Sequence, residues 1–141
     1  MKKIRVNHSG IVELQSFNNY PAGQLTVAEV GKHIPFKIKK IYFINNVLKN
    51  DSSRGNHAHK KLDQYMFCLN GSCRIKLDDG KNKQKITLNN SKYAIRLGPL
   101  LWHSMNNFSK DCVLLVVAND YHKESDYIRD YNEFIKYIKN K

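Results

Sequence analysis

Acidic side chains are scarce in this 141-residue chain, with 12 Asp and Glu against 24 Lys and Arg and a formal net charge of +12. Proline and glycine are sparse too, three and seven, and no Pro/Gly/Ser linker divides the chain. Long apolar runs are missing. The longest, Cys112 to Ala118, is far short of the roughly 20 residues a membrane helix needs. No apolar stretch follows Lys3 and Arg5, so no export signal is read and a cytoplasmic protein with no membrane partner is expected. Three cysteines are an odd number, and in a chain without an export signal they point to reduced thiols. Repeats and low-complexity tracts are absent, and the length suits one domain, 1–141.

What is present is enough apolar material for a core, 41% of residues, so disorder of the whole chain is excluded. The basic surplus has two readings. It either attracts an anion, such as a phosphorylated metabolite, or is a solvated surface. The Lys residues are spread evenly, with no basic stripe interleaved with aromatics, so no nucleic-acid partner is expected.

Short β-type runs separated by turns dominate. Strands are expected at Val12–Phe17, Leu25–Val30, Ile38–Ile44, His57–Leu69, Cys73–Leu77, Gln84–Leu88, Tyr93–Leu97, Leu101–Asn106 and Cys112–Ala118. A polar loop is expected over Asn45–Asn56. Asn70-Gly71 and Asp79-Gly80 carry hairpin chemistry, and a hairpin at the first would set Cys68 opposite Cys73. Cys112–Ala118 is apolar on both faces and so should be a central strand. From Tyr127 to Ile138 the apolar spacing becomes helical, with Tyr127, Tyr131, Phe134 and Ile138 on one face. His33 is expected to be exposed. The fold expected is all-β, an antiparallel barrel closed by a C-terminal helix.

The chemistry concentrates in Gly55-Asn56-His57-Ala58-His59. Two histidines at i and i+2 on a strand share a face. Gln64 follows, then Gly71, and far along the chain Pro99 precedes His103 and Asn107. This arrangement resembles the two motifs of the cupin superfamily, whose histidines converge inside a small jelly-roll barrel. The odd spacing from His59 to Gln64 requires a bulge near Lys60-Lys61 if both face inward on one strand. Converging imidazoles suit a metal, but Gln64 stands where a cupin usually has a ligand Glu. The same imidazoles suit proton transfer near neutral pH.

Arg54-Gly55-Asn56-His57-Ala58-His59, Leu77-Asp78-Asp79-Gly80, Gly98-Pro99 with Trp102-His103, and Tyr127-Ile128-Arg129-Asp130-Tyr131 together resemble the sugar-nucleotide 3,4-ketoisomerase family, from about Gly23 to Ile138. The resemblance implies a homodimeric cupin without metal or other cofactor. It also implies a dTDP-linked 4-keto-6-deoxy sugar, dTDP-4-keto-6-deoxyglucose, as substrate, with the ketone moved from C4 to C3 in deoxysugar biosynthesis. By the same resemblance His59 takes the carbon-bound hydrogen and His57 carries protons between the oxygens. Arg54 meets the diphosphate or the oxyanion, and His103, Tyr42 and Gln64 line the pocket. Ala22 and Lys40 stand where family members often have Arg, which leaves the C4 configuration of the product open. Competing readings are a metal-dependent cupin enzyme and a non-catalytic sugar-nucleotide-binding cupin. A 3,5-epimerase would need a carboxylate behind a histidine and a Tyr acid across the sugar ring, and no string in the sequence supplies them.

Overall fold

The computed structural model describes residues 3–49 and 51–141; Asn50, in the expected polar loop, lies outside it with Met1 and Lys2. Twelve strands are described: β1 (Ser9–Glu13), β2 (Gln15–Asn18), β3 (Gln24–Val27), β4 (Lys40–Ile44), β5 (Ser53–His59), β6 (Gln64–Asn70), β7 (Cys73–Asp78), β8 (Lys83–Leu88), β9 (Tyr93–Leu97), β10 (Trp102–Asn106), β11 (Val113–Ala118) and β12 (Tyr127–Ile128). One helix, α1 (Tyr131–Lys139), ends the chain. The strands form two five-stranded antiparallel sheets, β1-β9-β6-β11-β4 and β12-β5-β10-β7-β8, with β2-β3 as a separate hairpin. This is the expected cupin-like jelly roll, with two opposed walls in place of one closed ladder.

Alternation along the strands decides what faces inward. Met66, Cys68, Ile95, Leu97, Leu114 and Val116 of the first sheet meet Cys73, Ile75, Leu77, Ile86, Leu88 and Met105 of the second in the main core. The odd-numbered residues Tyr65, Phe67 and Val117 pack outward under Leu14 and Ile34. Being covered on both faces explains why β6 and β11 read as continuous apolar runs. As expected, β11 is central, between β6 and β4. His33 belongs to the covering segment. It is 9% exposed, against expectation, and its Nδ1 accepts the Glu29 N–H at 3.0 Å.

Three local expectations fail for one reason, that the chain changes sheets. Val12–Phe17 is two strands, β1 pairing with β9 and β2 with β3. His57–Leu69 is also two, β5 in the second sheet and β6 in the first. Asn70-Gly71 is no hairpin either: β6 and β7 lie in opposite sheets. Gly71 makes the crossing at φ +70°, and a Cβ there would run into Ser109, Asp111 and Cys112. Cys68, Cys73 and Cys112 are free and buried. Burial pushes the Cys68 thiol up to about 12, so these thiols are unreactive. The Asp79-Gly80 turn does join a hairpin, β7–β8.

The helix is shorter than its apolar spacing suggests. Asp130 caps it by accepting the Glu133 N–H at 3.0 Å, and the Tyr131 hydroxyl donates to Asp78 at 2.7 Å. Tyr127 and Ile128 precede the cap as β12, paired with His59 and Ala58. Phe134 is fully buried in a cluster with Ala58 and Ile128, against which Trp102 and Tyr131 also pack.

Candidate active site

The residue between the two motif histidines explains their position. Ala58 faces outward beneath α1, so His57 and His59 on either side of it face inward. His57 pairs with His103 across β5 and β10, and Trp102 on the far side of β10 packs against the helix cluster. A bulge follows in this ladder, because the register shifts between His103 and Ser104. Gly55 at φ +83° and Asn56 at φ +58° absorb it. A Cβ on Gly55 would lie 3.1 Å from the His103 carbonyl oxygen, so the close approach needs glycine. The bulge resets the alternation: Arg54 pairs with Met105 and shares the face of His57.

The bulge therefore lies at Gly55-Asn56, not near Lys60-Lys61. No bulge is needed there, because 60–63 is the connection between opposite sheets and Gln64 faces inward from its own sheet. Gln64 is 1% exposed, and its Oε1 accepts the Tyr42 hydroxyl at 2.8 Å.

The imidazoles form one cluster. The His57 ring centroid is 4.9 Å from that of His59 and 4.8 Å from that of His103, both edge to face. His59 and His103 are 6.2 Å apart. His59 Nδ1 lies 3.2 Å from Asp126 Oδ2, and His103 Nδ1 lies 3.2 Å from the Leu101 carbonyl oxygen. His57 Nδ1 and Gln64 Nε2 are buried without a partner, which marks polar capacity left for a ligand.

Burial disfavours the charged imidazole. It pushes His103 down to about 3, aided by the neighbouring His57 and His59. It lowers His57, and with His57, Lys40, Arg129 and His122 it takes His59 down to about 3. All three rings are neutral near pH 7 and each keeps a basic nitrogen. Burial also raises the Tyr42 hydroxyl, with Tyr127 adding to the effect and Arg54 opposing it.

Some side chains packed against the histidine cluster escaped the sequence reading. Asp126 is one. Tyr127 is another, assigned there to a helix face; its ring lies 4.4 Å from His59 and 4.9 Å from His57. Arg129 stacks on Tyr127 at 4.1 Å and pairs with Glu124 at 2.7 Å. The family string around Tyr127 and Arg129 was the signal that could have found both. A groove of about 430 Å³ reaches His59, Lys40, Asp126 and Tyr127, and its walls carry Lys39, Lys60, Lys61 and Lys123. It does not reach Arg54, His57, Tyr42, Gln64 or His103.

The donor set does not suit a metal. The Gln64 oxygen is engaged by Tyr42 and His59 Nδ1 faces Asp126. Among the described residues no group of three His, Cys, Asp or Glu is arranged to hold one. The pair His59–Asp126 does supply the histidine–carboxylate feature that no string in the sequence showed. Tyr127 is no acid across a sugar ring, however, because at 4.4 Å from His59 nothing fits between them.

A cluster of three buried imidazoles beside a cationic groove, inside a jelly roll, defines a protein of the cupin-like class. The family described as FdtA, WxcM-like C-terminal, matches residues 7–139. A TDP-4-oxo-6-deoxy-α-D-glucose 3,4-oxoisomerase from Aneurinibacillus thermoaerophilus is 52% identical over 116 residues, 82% of this chain and 83% of that protein. QdtA, a sugar 3,4-ketoisomerase from Thermoanaerobacterium thermosaccharolyticum solved with TDP, is 38% identical with a TM-score of 0.90, over 95% of this chain and 96% of that one. A variant of QdtA has been solved with TDP-4-keto-6-deoxyglucose. The TDP-fucose-3,4-ketoisomerase WlaRA from Campylobacter jejuni is 41% identical with a TM-score of 0.84, over 92% and 94% of the two chains. The chain belongs to the FdtA family and is an isomerase.

Proposed function

We propose that this protein converts TDP-4-keto-6-deoxyglucose to its 3-keto isomer in deoxysugar biosynthesis, working in the cytoplasm. The observation that carries the proposal is the cluster of three neutral imidazoles, with His57 Nδ1 and Gln64 Nε2 buried and unpartnered, in a chain 52% identical to an oxoisomerase of that sugar. Moving a ketone from C4 to C3 passes through an enediolate. One base takes the C3 hydrogen, a proton is delivered to C4, and a second group carries the proton between the two oxygens. We assign the carbon to His59 and the oxygens to His57, whose rings touch and so reach adjacent atoms of one sugar edge. Each positioned acid or base contributes about 10²–10⁴-fold. Arg54, on the strand face of His57, stabilises the oxyanion or the diphosphate. Tyr42, Gln64 and His103 lie behind the groove and hold the interior around the motif histidines, and no metal or other cofactor takes part.

A homodimer fits the surface. β4 is a sheet edge whose outward residues Ile41 and Phe43 are 60% and 66% exposed, and the separate β2–β3 hairpin exposes Phe17 and Leu25. Joining such edges between two copies would cover both.

The test is proton NMR of TDP-4-keto-6-deoxyglucose incubated with the protein, and the 3-keto sugar is the expected product. A substrate spectrum unchanged under conditions where a known ketoisomerase turns over refutes the proposal.

A further inference from the structure

We infer that Asp126 is the positioning residue that fixes the tautomer of His59, an inference that rests on the isomerase reading above for its catalytic consequence. The three imidazoles of the site are held differently. His103 Nδ1 faces a backbone carbonyl, His57 Nδ1 has no partner, and His59 Nδ1 alone faces a carboxylate. An ionised carboxylate only accepts hydrogen bonds. The contact at 3.2 Å therefore puts the proton of neutral His59 on Nδ1 and leaves the lone pair on Nε2. A base needs that lone pair; the opposite tautomer presents an N–H to the substrate and has nothing to accept a proton with.

Asp126 is itself held in place. Its Oδ1 accepts the Lys61 N–H at 2.9 Å and its Oδ2 the Leu62 N–H at 3.2 Å. Its carbonyl oxygen accepts the Lys60 N–H at 2.9 Å. The next residue, Tyr127, pairs with His59 across β12 and β5 and packs on its ring at 4.4 Å. Carboxylate, ring and the turn after His59 thus form one unit, with the Asp126 side chain 16% and that of His59 3% exposed. In so dry a setting the carboxylate also stabilises the imidazolium that forms once the proton is taken.

The variant Asp126→Asn is nearly isosteric and keeps one oxygen for the turn. One amide oxygen cannot serve the Lys61 and Leu62 N–H groups and His59 as the two carboxylate oxygens do, and an amide nitrogen facing His59 donates, which drives the ring toward the Nε2–H tautomer. The experiment is two-fold. Long-range ¹H–¹⁵N correlation on ¹⁵N-histidine-labelled protein reads the tautomer without substrate. Steady-state kinetics on TDP-4-keto-6-deoxyglucose reads kcat and KM. The expected result is Nδ1–H for His59 in the unaltered protein and Nε2–H in Asp126→Asn, with kcat falling about 10²–10⁴-fold, the range for losing a correctly set general base, and KM within about threefold. An Nδ1–H signal and a kcat both unchanged in Asp126→Asn overturn the inference, and so does a tautomer switch without loss of kcat. Should Asp126→Asn not fold, Asp126→Glu restores the carboxylate; it must keep Nδ1–H and part of kcat, and a folded Asp126→Glu with Nε2–H and full kcat overturns the inference instead. Failure of the isomerase reading shows separately, as no turnover by the unaltered protein, and leaves the tautomer measurement intact.

Discussion

Acid should weaken this protein through His103, and the size of the effect follows from the site. His103 is 2% exposed between two other imidazoles. Its ordinary value of 6.5 falls to about 3 in the folded chain, mainly through burial. The unfolded chain therefore takes up a proton near 6.5 that the folded chain refuses until about 3. Between those values the unfolded state binds more protons, so stability falls as pH falls. The contribution is whole above 6.5 and is lost progressively below it. Each pH unit inside the window costs about 1.4 kcal/mol per such group. From pH 7 to pH 5 His103 then accounts for about 2 kcal/mol. His103→Asn abolishes the titration while keeping an N–H donor for the Leu101 carbonyl. Urea unfolding of both proteins at the two pH values isolates the term, because the carboxylates common to both cancel in the difference. The unaltered protein should lose about 2 kcal/mol more than the variant. Equal losses, at unchanged m-values, would refute the assignment of a buried neutral imidazole at this position.

Three further outcomes are expected. In D₂O, His59→Asn should abolish both turnover and exchange of the C3 hydrogen of TDP-4-keto-6-deoxyglucose, whereas His57→Asn should slow turnover yet leave measurable exchange; proton NMR decides, and exchange in the first but not the second reverses the two roles. Dialysis against a strong chelator should leave kcat unchanged, because the Gln64 oxygen is already bonded to Tyr42 and the reaction asks only for proton transfer; a loss restored by Zn, Ni or Fe would revive the metal-dependent reading. Phe134→Ala should cost about 3–5 kcal/mol in chemical unfolding, since Phe134 is fully buried where α1 meets Ala58 and Ile128. A cost under about 1 kcal/mol would mean that the helix is not anchored by this ring.

What could be read from the sequence was whatever depends on neighbours along the chain. His57-Ala58-His59 fixes two imidazoles on one strand face by alternation alone, and the structure keeps them there with Ala58 turned to the helix. Cys112–Ala118, apolar on both faces, could only be a covered central strand, and it lies between β4 and β6. Asp79-Gly80 makes its hairpin because β7 and β8 continue in one sheet. Asn70-Gly71 carries the same local chemistry and makes none, because a turn dipeptide does not specify which sheet the next strand joins. That choice belongs to the core, where the inward faces of β6 and β7 pack against each other across the two walls. The parity from His59 to Gln64 was unreadable for the same reason, and the bulge that puts Arg54 on the face of His57 is set by the partner strand β10. The carboxylate behind His59 lay furthest from view. Asp126 stands 67 residues away from His59 in the chain. Only the pairing of β12 with β5 brings it to Nδ1, since local periodicity encodes which face a residue occupies and tertiary packing alone decides what that face meets.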